Sequence, residues 1–156
     1  MNIKLIVSTM FITALVVGCG DTETSRSDGL LSAANGDHRS AKNIKRNGPR
    51  HSVETLRFFG IKSDMTVMEI WPGSGGWYTE ILAPYLREQG TFYAASYVGD
   101  KDTPYFLKGV EKFEKKLAAN PSVYDKIKLV SIMPPTQIDP APEGSVDLIL
   151  SFRNLH

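Results

Sequence analysis

The chain has 156 residues, of which 42% are hydrophobic and 22% are charged, and its formal net charge at pH 7 is +1. These values are typical of a globular domain and give no bulk attraction to nucleic acid, so no nucleic-acid partner is predicted. The single cysteine excludes an intramolecular disulfide, and no residue pattern suggests a metal site.

The N-terminus is predicted to be a signal peptide that covers residues 1–18. Lys4 supplies a positive charge, and the apolar run of residues 5–17 is shorter than the ~20 residues that cross a bilayer. The run ends in Gly18 and Cys19, which resembles a bacterial lipobox. This resemblance implies cleavage before Cys19 and acylation of its thiol and new amine. It predicts a lipoprotein anchored in the bacterial cell envelope, facing the periplasm or the exterior; an ordinary buried or free thiol is the alternative.

Residues 19–50 are predicted to comprise the lipidated cysteine and a flexible tether. Apolar residues are sparse there, so the segment does not bury enough surface to offset its ordering entropy. Helical turns at 33–34 or 41–44 are the places where it would dock on the domain. The basic residues in and after the tether are either a solvated leader or a contact for phosphates or anionic lipid. They are Arg39, Lys42, Lys45, Arg46, Arg50 and Arg57.

From residue 51 to residue 156 the chain alternates between helical and strand patterns. Strands are predicted at 66–71, 91–97, 127–133 and 146–152, and helices at about 52–59 and 76–86 and from Pro104 onward. The fourth strand is apolar, as expected for a strand that is covered on both faces. Alternating elements with short connections predict an α/β domain with a doubly wound parallel sheet.

The stretch 67–77, with the sequence VMEIWPGSGGW, is predicted to be a strand, a glycine-rich turn and a helix start. Glycines permit positive φ and close approach of a ligand, and the helix directs free N–H groups at the turn. Such turns at the carboxyl ends of strands bind nucleotide-like cofactors. No lysine follows, which excludes a P-loop, and only Gly73 and Gly75 match the first half of a dinucleotide fingerprint. Trp77 and Tyr78 are predicted core residues, with stacking on a ligand as the alternative.

This turn resembles motif I of class I S-adenosylmethionine-dependent methyltransferases, in which an acid precedes a P-G-x-G or G-x-G turn. The stretches EIWPGSGGWYTEILAPYL (69–86) and DLILSFRNLH (147–156) together resemble bacterial methyltransferase-like proteins that are often exported. The resemblance implies a Rossmann-like doubly wound parallel sheet and S-adenosyl-L-methionine as the cofactor. Such folds continue beyond a fourth strand, so the chain is expected to hold a partial domain that is truncated after that strand.

By this resemblance, Gly73 and Gly75 line the amino-acid and ribose portions of the cofactor, with the backbone of Trp71 and Pro72 nearby. Glu69 is implied to orient the turn, or to reach the cofactor's ammonium group through water. Capping of nearby N–H groups is the alternative for this buried acid.

Two positions depart from the family pattern. Trp71 stands where many relatives have the first glycine of E-x-G-x-G. An acid usually ends the second strand and bonds the ribose hydroxyls, whereas here the nearest acids follow the strand. Asp100 is assigned this role, with a solvated loop acid as the alternative.

The tail 147–156 resembles methyltransferase motif IV. Asp147 begins the strand and is interpreted as a turn or register residue. Arg153, Asn154 and His156 follow the carboxyl end of the strand, beside the expected crevice, and are the catalytic candidates. His156 is the candidate general base for an oxygen or nitrogen acceptor, because imidazole titrates near neutral pH; a polar loop residue is the alternative.

Two functions remain open at this point. The first is an exported, lipid-anchored S-adenosyl-L-methionine-dependent methyltransferase whose methyl acceptor is unknown. The second is a non-catalytic cell-envelope lipoprotein that uses a methyltransferase-like fold as a binding module. The glycine turn and the tail favour the first function. The predicted anchor favours the second, because the cofactor is made in the cytoplasm.

Overall fold

A computed structural model of the chain describes residues 29–97 and 103–154. The predicted signal peptide, Cys19, Asp100 and His156 lie outside these residues. The described helices are residues 29–34 (α1), Ala41–Ile44 (α2), Asn47–Arg50 (α3), Ser52–Phe58 (α4), Thr79–Leu86 (α5), Pro104–Ala118 (α6) and Pro121–Tyr124 (α7). The described strands are Thr66–Ile70 (β1), Thr91–Tyr97 (β2), Lys128–Ile132 (β3) and Leu148–Ser151 (β4).

Within this described part, the strands form one sheet in the order β3-β2-β1-β4, and every neighbouring pair is parallel. The prediction of an α/β fold with a doubly wound parallel sheet is confirmed. The register of the β1–β4 pair is set at its amino end, where Asp147 Oδ2 accepts a 2.7 Å hydrogen bond from the Thr66 amide. The Asp147 amide in turn donates to the Thr66 carbonyl at 2.9 Å. This confirms Asp147 as a register residue.

Helix α5 supplies much of the core beneath the sheet. Its Ile81 and Leu82 are fully buried in one apolar cluster with Val67 of β1. Pro84 lies inside the helix and has no N–H for the carbonyl of Glu80, four residues earlier. That carbonyl instead accepts a 2.7 Å hydrogen bond from His38 Nε2. A residue from the N-terminal segment therefore provides the hydrogen bond that the Glu80 carbonyl lacks within the helix.

The N-terminal segment differs from the tether that its composition predicts. Residues 29–50 are largely helical, and Leu30, Ala34 and Arg39 are buried against the domain. The docking turns predicted at 33–34 and 41–44 are both present. The segment has no broad apolar face. It packs against the domain through a few small apolar side chains and a buried ion pair instead.

The ion pair centres on Glu80, in the first turn of α5. Its Oε2 accepts from Arg39 Nε at 3.0 Å, and both its carboxylate oxygens lie 3.0 Å from Asn43 Nδ2. Lys116 of α6 donates to Oε1. Burial alone would raise the pKa of Glu80, but the hydrogen bonds from Lys116 and Arg39 outweigh it and hold the pKa below its ordinary value. The ionised carboxylate therefore joins the N-terminal segment, α5 and α6.

The last strand exposes one of its faces in the described part of the chain. Leu150 is buried, whereas Ile149 is 61% exposed. The prediction that β4 is covered on both faces is therefore wrong for the described residues, because the connection 133–147 crosses this side of the sheet without a helix. No helix among the described residues is long and apolar enough to cross a membrane.

Replacing Glu80 by alanine is expected to lower the free energy of unfolding by about 3 kcal/mol, because it leaves the buried guanidinium of Arg39 without its counter-ion. Urea denaturation at pH 7 measures this change. The matched control is Glu88→Ala, which removes exposed ion pairs at 3.4 Å to Arg87 and Lys126 and is expected to cost less than about 1 kcal/mol. Equal losses in the two variants would contradict a central role for Glu80.

Candidate functional site

The turn between β1 and α5 uses backbone conformations that favour glycine. Gly73 and Gly76 have φ of 68° and 52°, and Trp71 has φ of 53°. For a residue other than glycine, this left-handed backbone conformation costs on the order of 1 kcal/mol of conformational free energy. The Trp71 amide donates to the Ala95 carbonyl at 2.8 Å, which extends the β1–β2 ladder by one residue. Trp71 thus adopts a backbone conformation that normally favours glycine.

A cavity of about 260 Å³ opens at the carboxyl ends of β1 and β2, between the turn and α6. From the turn and β2 it is lined by Trp71, Gly73, Ser74, Ser96 and Tyr97. From α6 it is lined by Tyr105, Phe106, Lys108, Gly109, Val110, Lys112 and Phe113. Of the predicted cofactor residues, Trp71 and Gly73 reach this cavity, whereas Glu69, Pro72 and Gly75 do not.

Three aromatic rings form one wall of the cavity. The ring of Phe106 lies 5.0 Å from that of Trp71 and 4.6 Å from that of Tyr97, measured between centroids. Trp71 and Tyr97 are stacked at 6.1 Å and 28°. The helical spacing of Phe106, Val110 and Phe113 by itself predicts one buried stripe on α6, but Phe106 and Val110 are only partly buried and line the cavity. Residues that face a core and residues that face a cavity have the same helical periodicity, so the periodicity does not distinguish the two.

Glu69 holds the turn against α5. It is only 3% exposed, and its Oε2 accepts a 2.6 Å hydrogen bond from Thr79 Oγ1 in the first residue of that helix. Burial raises the pKa of Glu69 to about 7, against the opposing effects of Thr79 and the charge of Lys116. This geometry supports the interpretation that Glu69 orients the turn.

Lys116 of α6 fixes the turn from the other side. Its ammonium group donates to the carbonyl of Gly75 as well as to the carboxylate of Glu80. Gly75 therefore contributes its backbone to the attachment of α6, and a Cβ added there would meet no atom within 4 Å.

Gly76 is a site-forming residue that sequence reasoning missed. A Cβ at this position would lie 2.6 Å from Phe113 Cε2 and 3.1 Å from Thr79 Oγ1. Because Phe113 is almost completely buried, a side chain at Gly76 would press on a packed core ring. The sequence signal was the third glycine of the turn, immediately before the helix.

The structure describes two of the three catalytic candidates, Arg153 and Asn154. Asn154 Nδ2 donates to the carbonyl of Ile70 at 2.9 Å and lies 3.2 Å from Ser151 Oγ, so it ties the end of β4 to the end of β1. Arg153 is exposed and has φ of 63°. His156 and Asp100 lie outside the described residues. Across residues 29–97 and 103–154, no group of three or more His, Cys, Asp or Glu side chains is placed to hold a metal ion.

Comparison with known proteins gives limited similarity. No protein-family model matches the chain. No curated protein matches it in sequence. Among solved structures, it is similar to a protein-L-isoaspartate O-methyltransferase, with a TM-score of 0.49 and 18% sequence identity. The match covers 66% of this chain and 28% of that chain, so this chain spans well under two thirds of the length of the solved structure.

The adjacent glycines of the turn permit a direct test of its packing. Gly76→Ala is expected to lower the free energy of unfolding by about 3 kcal/mol, since it adds strain at positive φ and forces a methyl group against Phe113. Gly75→Ala is the matched control and is expected to change it by less than about 0.5 kcal/mol. Chemical denaturation compares the two variants, and similar stabilities would show that the turn tolerates a side chain at Gly76.

The raised pKa of Glu69 predicts a specific pH dependence. Unfolding returns this pKa to 4.5, so the unfolded state ionises first and the folded state loses stability as pH rises from 4.5 to about 7. The loss is about 3 kcal/mol. Glu69→Gln keeps an acceptor for Thr79 and is expected to remove this loss. Urea denaturation at pH 5 and pH 7.5 tests it, and an unchanged pH dependence in the variant would exclude Glu69 as its source.

Proposed function

We propose that the described domain is the cofactor-binding part of an S-adenosyl-L-methionine-dependent methyltransferase. The observation that carries the proposal is the cavity between the glycine turn after β1 and helix α6, at the carboxyl ends of the two central strands. This is the edge of an open α/β sheet where nucleotide-like ligands bind.

The residues at the cavity fit this cofactor by shape. A Cβ added at Gly73 or at Gly109 would meet no protein atom within 4 Å, so both glycines open onto free space at the cavity. The flat rings of Trp71, Tyr97 and Phe106 supply a stacking surface for a purine base. The cavity therefore offers exposed backbone at the glycines and flat ring surfaces at the aromatic residues, and both suit a narrow, planar ligand.

The cavity also fits the cofactor by charge. Lys108 and Lys112 line it, and none of its described lining residues is acidic. The lysines would attract the carboxylate of the amino-acid portion, and the aromatic faces would attract the sulfonium through cation–π interaction. Asp100 stays the proposed partner of the ribose hydroxyls.

When bound, the cofactor would supply an activated methyl group, and the protein's contribution would be to place the acceptor in line with it. Glu69 and Thr79 would keep the turn in one geometry. Asn154 would keep the end of β4 beside β1, where Arg153 would contact the acceptor. His156 is proposed to remove the acceptor's proton. We further propose that Cys19 carries a lipid anchor and that the protein acts at the cell envelope.

A non-catalytic binding module is the second candidate function. Trp71 places an indole ring in the cavity wall, where relatives have a glycine, and the ring is 38% exposed. This bulk narrows the cavity beside the turn, which suits a smaller ligand better than a complete nucleoside. Failure of the cofactor to bind would favour this candidate.

Gly109→Leu is expected to abolish binding of S-adenosyl-L-methionine and of its demethylated product to the full chain, because the added side chain projects into the cavity. A leucine also favours the helix by about 0.8 kcal/mol over glycine, so the variant is expected to be no less stable. Isothermal titration calorimetry measures the binding.

The matched control for this test is Ala118→Leu, on an exposed position of α6 that does not line the cavity. It is expected to leave the affinity unchanged. Cofactor binding that persists in Gly109→Leu would place the cofactor elsewhere, and the absence of binding to the unsubstituted chain would overturn the methyltransferase proposal.

A further inference from the structure

A second cluster of polar groups surrounds Trp77, at the start of α5 and away from the residues that line the cavity. The guanidinium carbons of Arg39, Arg46 and Arg50 lie 5.1, 5.7 and 4.9 Å from the centre of the indole ring. Trp77 itself is 9% exposed, in agreement with the core packing predicted for it. The ring is thus a buried platform on which the N-terminal segment places three positive charges.

These charges are not equivalent. Arg39 is buried and neutralised by Glu80. Arg46 and Arg50 face solvent at least in part, and among the described residues neither forms an ion pair with a carboxylate. Two cations are therefore held close to one ring without a counter-ion.

A third unpaired cation comes from the end of β4. Phe152 stacks on Tyr78 with centroids 3.6 Å apart and planes at 13°, and Tyr78 contacts Trp77 edge to face at 4.8 Å. Arg153, which directly follows Phe152, is exposed and likewise has no carboxylate partner in the described part of the chain. Desolvation, and then the charges of Arg46 and Arg153, lower the pKa of the Arg50 guanidinium, so both of these cations lie within electrostatic reach of Arg50.

Hydrogen-bond donors also exceed acceptors at this position. Arg39 Nη2 and Trp77 Nε1 are both buried, and neither has an acceptor among the described residues. Buried donors without acceptors are uncommon in folded proteins. Around Trp77, the described residues therefore present more cations and hydrogen-bond donors than carboxylates and acceptors, and a bound anion would offset this imbalance.

We propose that Arg46, Arg50 and Arg153 form an anion-binding site for the carboxylate or phosphate group of a small molecule. Guanidinium groups bind both anions through paired hydrogen bonds, and stacking on an aromatic ring restricts the orientation of Arg46 and Arg50 before binding. Three uncompensated cations at the surface give the site its selectivity for charge.

The place of the site in the sheet indicates what the anion belongs to. The site lies at the carboxyl end of β4, beside β1. In the sheet order β3-β2-β1-β4, the strands that follow β1 lie on both sides of it, so this position is a topological switch point of the sheet. The cofactor cavity lies on the β2 side of the same turn. Resting on the proposed function, this arrangement makes the anion a part of the methyl acceptor.

The test is a titration of the full chain with inorganic phosphate at constant ionic strength and without cofactor. The chain has two tryptophans, so Trp71→Phe leaves the fluorescence of Trp77 as a reporter within the site. A saturable change in this fluorescence is expected. Arg50→Gln and Arg153→Gln, each in the Trp71→Phe background, are expected to raise the half-saturating phosphate concentration roughly tenfold, through loss of a charge-assisted contact.

The matched control is Lys45→Gln, which removes the same charge from an exposed position of the same segment and is expected to leave the phosphate response unchanged. Equal weakening by Lys45→Gln, or no saturable response, would overturn the proposal. Arg153 is exposed, so Arg153→Gln keeps the test decisive if Arg50→Gln fails to fold.

Two further measurements separate the possible sources of failure. Vesicles of phosphatidylglycerol are compared with vesicles of phosphatidylcholine. A response to phosphatidylglycerol without any response to inorganic phosphate would overturn the proposal that the ligand is a small soluble molecule. The double variant Trp71→Phe, Gly109→Leu is expected to respond to phosphate as the Trp71→Phe parent does. Absence of cofactor binding to the unsubstituted chain, together with a retained phosphate response, would refute the proposed function and keep the anion site.

Discussion

The arrangement of the molecule around the β1 turn depends on one buried carboxylate. Glu80 accepts hydrogen bonds from Arg39, Asn43 and Lys116, which come from two separate segments of the chain, and each of them reaches the first turn of α5. Two cations and one amide surround a single acid, so the acid stays ionised in spite of its burial. In the described part of the chain, this centre thus attaches both the N-terminal segment and α6 to the start of α5.

The same helix turn connects two ionisable groups with opposite behaviour. Glu69 is buried with a hydroxyl partner only, and its pKa rises, whereas Glu80 is buried with cations, and its pKa falls. Their effects on stability therefore occur in separate pH ranges, above and below the ordinary pKa of a glutamate. Thr79 separates the two acids in the sequence and bonds to Glu69, so a short stretch of chain determines both the position of the turn and its attachment.

The turn divides the carboxyl edge of the sheet into two chemically different regions. On the β2 side, aromatic rings and glycines form a cavity with lysines at its margin. On the β4 side, Arg46 and Arg50 lie over Trp77 and have no carboxylate partner among the described residues. One region suits a flat ligand and the other suits an anionic group. Glu69 bonds to Thr79 and Lys116 bonds to the Gly75 carbonyl of the turn between them, and these attachments would fix the distance between two bound groups.

The sequence by itself determined the alternation of strands and helices and the glycine turn, because these depend on local periodicity and backbone preference. It also indicated a register role for Asp147, from the position of this residue at the start of the fourth strand. It predicted docking turns at 33–34 or 41–44 but not that residues 29–50 as a whole fold onto the domain, since their burial depends on Glu80, thirty or more residues away. It placed Phe106 in the core, because helical spacing does not distinguish a core from a cavity wall. Only the tertiary structure decided these points, since charge compensation and cavities arise from contacts between segments that are distant in the chain.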